Sequence, residues 1–322
     1  MEPPCMSIAK TVSFRFIFYS LLTGIGVFLV AHSRPEETRL FWSNSELWRE
    51  PILAGVLCGF LSALLGVYIL LNRIVFISLA ISQGASFGIF LSYFVAGFFA
   101  ISLAESPISF IAGLVVALLS AMLFAWLRRA RRIPDESLIG FIYVAAAGLT
   151  ILIGDRISEG HNIDDLLFGN AVAVTPYELK VITGVTAAIL LIHLVFRREF
   201  LYASADSEFM KIKGLNVKFW SIFLYFTLTL GITFNLKTLG SLPVFALMVV
   251  PPLISLKRAQ GIREAFLVSL FLGILIPPLG YYLSFIYAFP TGSSVIAVSC
   301  LYTLFSFGET FLNRLFFARS RR

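Results

Sequence analysis

The side chains best suited to hold a metal ion or attack a substrate are few in this sequence, and their spacing suits neither task. The histidines are His32, His161 and His193. No H-E-x-x-H puts two imidazoles one turn apart on a helix, as zinc hydrolases require. Cys5, Cys58 and Cys300 are too scattered for a disulfide framework. Cys58 and Cys300 fall in apolar stretches, where cysteine serves as a small packing residue. His193 stands alone in another such stretch and reads as a packed neutral ring. The phosphate-cradling G-x-x-x-x-G-K-S/T loop is absent, so ATP has no site of that kind, and no G-x-S-x-G marks a nucleophilic serine. The sequence thus offers no catalytic residue, no cofactor site and no metal cluster, and predicts a protein that is not an enzyme.

One stretch mixes charged, polar and apolar residues with a regular period. Between 197 and 218, Phe209, Ile212 and Leu215 recur at i, i+3 and i+6, one face of a short helix. Ser204 or Asp206 can cap its start, and Gly214 can end it. A capped amphipathic helix needs something to dock on, either the protein's own helix ends or a partner.

The elements that must position this segment follow from composition. Of 322 residues, 58% are hydrophobic and 13% charged, against roughly 25% charged in soluble domains. Residues 51–72, 74–104, 106–127 and 265–308 carry no charge at all. A helix crosses the hydrocarbon core with about 20 apolar residues. The last run therefore holds two spans, broken at Pro290-Thr291-Gly292. Shorter candidates cover 16–33, 137–154, 177–196, 219–236 and 238–256, giving an all-α bundle of about ten spans. Backbone groups in lipid must pair internally, and the runs lack the alternation of barrel strands, so they are helices. Gly55 and Gly59, and Gly84 and Gly88, form G-x-x-x-G pairs that let helices approach closely. Pro243, Pro251, Pro252, Pro277 and Pro278 fall within spans and predict kinks. Lys237, between two spans, is expected to snorkel to an interface. Glu309 is expected to pair with Asn313 one turn on.

Charge gives the orientation. Threaded through ten helices, 19 of the 25 basic residues fall on one side. They include Arg128, Arg129, Arg131 and Arg132, the cluster from Arg197 to Lys218, and the C-terminal arginines. That side is cytoplasmic by the positive-inside rule, which puts both termini inside. The opposite loops carry Glu36, Glu37, Glu46 and Glu50, and Asp155, Glu159, Asp164 and Asp165. The net charge of +7 is thus a topology signal and does not predict nucleic-acid binding. Lys10 and Arg15 before the first apolar run also fit a signal peptide, but the run is long for one, and a retained helix is expected.

The segment around Asp206 then resembles a known family, the membrane permease subunits of ATP-binding-cassette importers for zinc, manganese and iron ions. Their cytoplasmic motif F-D-P-E-x-A-x-x-x-G-x-x-V is matched by Asp206-Ser207-Glu208 and Gly214-Leu215-Asn216-Val217. Leu65-Gly66-Val67-Tyr68 with Asn72-Arg73 and Phe76 looks like the family's opening helix pair. Asp135-Glu136 with Ile139-Gly140, and Leu167-Phe168-Gly169-Asn170, match further motifs. So do Gly240, Leu242, Leu247 and Pro251, and Gly280, Ser284 and Pro290-Thr291-Gly292. The likeness covers roughly 51–305. It leaves residues 1–40 as an extension with an extra span or signal segment, and 41–322 as the permease domain.

The resemblance implies import by alternating access across the cytoplasmic membrane. Asp206, Glu208 and Gly214 would couple it to separate cytoplasmic ATP-binding subunits. A second permease copy or paralogue would complete the pore, and an extracytoplasmic binding protein would deliver substrate. One departure touches the cargo. The family's G-D-A-x-S-H sets an Asp and a His one turn apart, and here Leu79 and Gln83 stand in their places. Gln83, with Ser82 and Ser86, is the polar remainder of that face and the candidate substrate path, and this subunit alone is expected to lack the family's intramembrane metal site. The alternatives are a permease for metal chelates or cobalamin, or a membrane scaffold without transport.

Overall fold

Each long charge-free run forms a helix. The computed structural model describes residues 4–99, 107–128, 133–154 and 174–319, with side chains from Arg15 to Gly308 apart from Arg258. In chain order the helices are α1 (Pro4–Ser33), α2 (Pro35–Ser43), α3 (Ser45–Leu71), α4 (Ile77–Phe98), α5 (Pro107–Leu127), α6 (Asp135–Gly154), α7 (Pro176–Val195), α8 (Arg197–Ala205), α9 (Ser207–Ile212), α10 (Val217–Leu239), α11 (Ser241–Arg258), α12 (Ile262–Tyr287) and α13 (Thr291–Arg319). Among the described residues nine helices are long and apolar enough to cross a membrane, and α11 is a shorter apolar one. These correspond to the ten expected spans, and no strand occurs among the described residues.

Local chemistry sets the boundaries. Thr175 and Glu178 form a reciprocal capping box at the start of α7, with Pro176 at the first helical position. Asn216 caps α10 through the amides of Lys218 and Phe219. Gly240, at φ 84°, stops α10 and releases α11 at once. Pro243 therefore sits in the first turn of α11, where its missing N–H goes unneeded. It opens a helix, and the kink expected of it within a span does not arise. Two other expectations shift. Residues 74–76 form a turn before α4, and residues 35–43, expected within a loop, form α2.

α3 is the axis of the bundle, packed mainly against α12 and α11 and also against α7, α10 and α8. Small residues allow it. A Cβ added at Gly59 would stand 2.1 Å from the carbonyl oxygen of Gly273 on α12, and one at Gly66 would stand 2.0 Å from that of Met248 on α11. Both carbonyls lie four residues before a proline, Pro277 and Pro252, which cannot donate back to them. Each freed oxygen is thus turned toward a glycine of α3, with the proline ring beside it. The close approach supplies weak Cα–H···O contacts in place of the lost hydrogen bonds. The second glycine pair, Gly84 and Gly88 of α4, lies against Ser120, Ala112 and Gly113 of α5.

The N-terminal helices lean on the far side of α12. Arg15 pairs with Glu264 at 2.7 Å, with only 13% and 1% of their side chains exposed. Thr23 and Tyr302 share a hydrogen bond, as do Thr38 and Tyr282. Phe41, Trp48, Tyr282 and Phe285 close this contact in an aromatic cluster.

Candidate functional site

α4 carries the predicted substrate-path residues, and all three are buried: Ser82, Gln83 and Ser86 are 1%, 6% and 3% exposed. The hydroxyl of Ser82 donates to the Leu79 carbonyl at 3.0 Å, and that of Ser86 to the Ser82 carbonyl at 3.1 Å. Both protons are thus spent on the helix's own backbone, leaving neutral oxygen lone pairs. Leu79 adds nothing polar. Among the described residues no three of His, Cys, Asp and Glu lie together as a metal would need.

A second polar node, which no sequence motif marks, lies between α3 and α10. Asn235 is fully buried, and its amide nitrogen donates to the Cys58 carbonyl at 3.1 Å and the Ser62 hydroxyl at 3.0 Å. Among the described residues its amide oxygen has no hydrogen-bond partner, and neither do the buried hydroxyls of Thr233 and Ser241. Interior polar groups of this kind normally pair. The one signal in the sequence is that Asn235, two residues before Lys237, is the single amide side chain within α10.

His193 is packed in the interior as expected, and Lys237 stands at the surface. The His193 ring is 2% exposed, stacked on Phe200, and its Nε2 lies 3.1 Å from the Thr227 hydroxyl. Lys237 is 60% exposed and pairs with Glu178 at 2.8 Å.

α8 and α9 form the segment singled out by its period. Phe200 of α8 is fully buried against Tyr68 of α3 and Phe223 of α10, which braces the segment on the bundle. Asp206 caps α9 by accepting from the Phe209 amide at 2.9 Å. Ser204 does not, since it lies inside α8 and is buried. Gly214 ends the segment at φ 72°, donating to the Lys211 carbonyl at 2.9 Å. Glu208 sits in the first turn, where the helix dipole favours an acid. The face is the surprise. The anchor is Met210, fully buried, while Ile212 is 83% and Phe209 39% exposed. Of the two docking surfaces left open by the sequence, the protein's own helix ends and a partner, the bundle takes Met210 and leaves the Phe209–Ile212 edge outward.

The remaining matched motifs are structural or lie outside the described residues. Asp135 opens α6 and pairs with Arg128 at 2.7 Å. Ser284 donates to the Phe289 carbonyl at 2.7 Å and lies 3.0 Å from the Thr291 hydroxyl, closing the turn between α12 and α13. Gly280 leaves room for Val295. Leu167 to Asn170, His161, Arg129, Arg131, Arg132 and the acidic loop 155–165 lie outside the described residues, as do the side chains of Cys5, Lys10, Glu309 and Asn313.

Residues 44–309 match the ABC 3 transport family. The chain is 26% identical to the manganese transport system membrane protein MntC of Halalkalibacterium halodurans, over 79% of this chain and 82% of that one. It is 28% identical to the high-affinity zinc uptake system membrane protein ZnuB of Buchnera aphidicola, over 78% of this chain and 94% of that one. Its fold resembles a solved chain of PsaBC from Streptococcus pneumoniae in complex with Fab, at TM-score 0.69 and 23% identity, covering 81% of this chain and 91% of that one.

Proposed function

The chain belongs to the ABC 3 transport family, and on that basis we propose that it is the permease of an ATP-driven importer for a divalent metal ion: manganese, zinc or iron. The observation that carries this reading is the family match itself, which runs from the start of α3 through the last span. The protein works with cytoplasmic ATP-binding subunits, a second permease and an extracytoplasmic binding protein. Both termini lie in the cytoplasm of a cell bounded by its inner membrane, as the distribution of basic residues favours.

The α8–α9 segment is the coupler. Asp206 and Gly214 hold the two ends of α9, Met210 roots it, and Phe209 and Ile212 offer an apolar edge to the ATP-binding subunit. ATP-driven closure of those subunits pushes on this edge, and α8 passes the push to α3 and α10 through Phe200. The ion crosses past the neutral oxygens of Ser82, Gln83 and Ser86, since Leu79 and Gln83 stand where the family has an Asp and a His. Oxygen donors suit manganese and iron better than thiol-seeking metals. Uptake of radioactive manganese, zinc and iron by cells lacking this gene tests the reading. Uptake of one ion should fall and return with the intact gene. Unchanged uptake of all three sinks the proposal.

A further inference from the structure

A cleft of about 790 Å³ opens where the ends of α3 and α5 meet α8, α9 and α10. Its walls carry Arg73, Arg128, Lys211 and Lys218 and no acidic residue. Arg128 is already engaged: its Nε faces Asp135 at 2.7 Å and its Nη1 donates to the Tyr225 hydroxyl at 2.6 Å. Arg73, Lys211 and Lys218 make no ion pair among the described residues. Arg73 is held at φ 58°, a left-handed backbone that an arginine adopts at a cost and that marks functional turns. Ser204, 6% exposed, also lines the cleft, and its hydroxyl, itself buried, has no hydrogen-bond partner among the described residues. Three cations without an ion pair on walls that carry no acid call for an anion.

The cleft also has an apolar continuation. Ala125, Ile222 and Tyr225 wall both it and a shallow surface groove of about 10 Å³ between α5 and α10, over which Leu118 and the exposed Met122 and Phe226 present an apolar strip. A free phosphate has no use for such an extension, whereas a lipid has both a charged head and a tail. We propose that this cleft binds an anionic phospholipid, its phosphate among Arg73, Lys211 and Lys218 and an acyl chain along the α5–α10 groove. Basic pockets between helix ends are suited to such headgroups. Binding itself does not depend on the cargo or on the orientation proposed above. Lys211 lies on α9 and Lys218 opens α10, so the lipid ties the segment between them to the bundle.

Native mass spectrometry of the full-length protein in detergent tests this with phosphatidylglycerol, phosphatidylcholine of matched chains, and inorganic phosphate. Phosphatidylglycerol should bind in preference to phosphatidylcholine and resist an excess of phosphate. Its retention should drop about fivefold for each cation removed, in Lys218→Gln and further in Lys218→Gln with Arg73→Asn, while Lys218→Arg retains it. Asparagine tolerates the left-handed turn, and Lys218→Gln alone, at an exposed site, carries the test if the double variant does not fold. Equal binding of the two lipids, or a preference unchanged by Lys218→Gln, overturns the proposal. Displacement by phosphate gives the cleft to a soluble anion, and displacement by added ATP-binding subunit gives it to protein; either overturns the lipid assignment.

Discussion

The centre of the bundle and the α8–α9 segment solve opposite problems. At the centre, α3 meets α11 and α12 backbone to backbone, at glycines and proline-freed carbonyls, with no room for another atom. On α9, one methionine is sunk and two large apolar side chains are left standing out. The first surface is complete within this chain. The second, on the reading proposed above, is half of an interface. A residue's apolarity does not tell the two apart; whether its neighbours already fill the space beside it does.

Substitutions can break this contrast, the largest effect coming from the centre. Gly59→Val places atoms where the Gly273 carbonyl already stands at 2.1 Å. Overpacking costs about 1–3 kcal/mol, and more where backbone must move. Gel filtration in detergent should show that no monodisperse protein is recovered. Gly214→Val forces a branched residue to φ 72°, at about 1–3 kcal/mol. It should leave a monodisperse bundle that takes up metal several-fold more slowly. Normal uptake would mean that the segment's end need not be held. Asp206→Ala removes the cap on Phe209, at about 1 kcal/mol. Amide exchange should quicken over 207–212 and stay unchanged in α3. Ile212→Asp sharpens the comparison most, because it should alter stability by no more than about 0.5 kcal/mol yet weaken pull-down of the ATP-binding subunit. A large loss of thermal stability would show that this edge docks on the bundle itself.

Much of the fold is legible in the order of residues alone. Charge-free runs longer than a bilayer is thick have one outcome in lipid, so the spans can be read from where charges are missing. Asp206 and Gly214 are legible because capping and left-handed termination are local chemistry. What stays hidden depends on neighbours far along the chain. The outward edge of α9 cannot be inferred, because periodicity groups Phe209 with Ile212 without saying which side the bundle occupies. Met210 lies beside that stripe and takes the buried place. Asn235 does not stand out because its partners, Cys58 and Ser62, lie on a helix more than 170 residues away. Ser82 and Ser86 read as path-lining polar groups, yet their protons turn back onto their own helix. The prolines predict kinks, but not that glycines of α3 face two of the carbonyls they free.

The ion pair between Arg15 and Glu264 has a consequence for how the molecule is made. The two residues are separated by about three quarters of the chain, and at about 5–20 residues per second tens of seconds pass between their syntheses. During that wait α1 has no α12 to lean on, and the guanidinium must stay hydrated at the membrane surface. Biogenesis thus ends with a late docking step, in which the first helix made joins one of the last. A chain interrupted before residue 264 would keep α1 undocked, its arginine still at the water's edge.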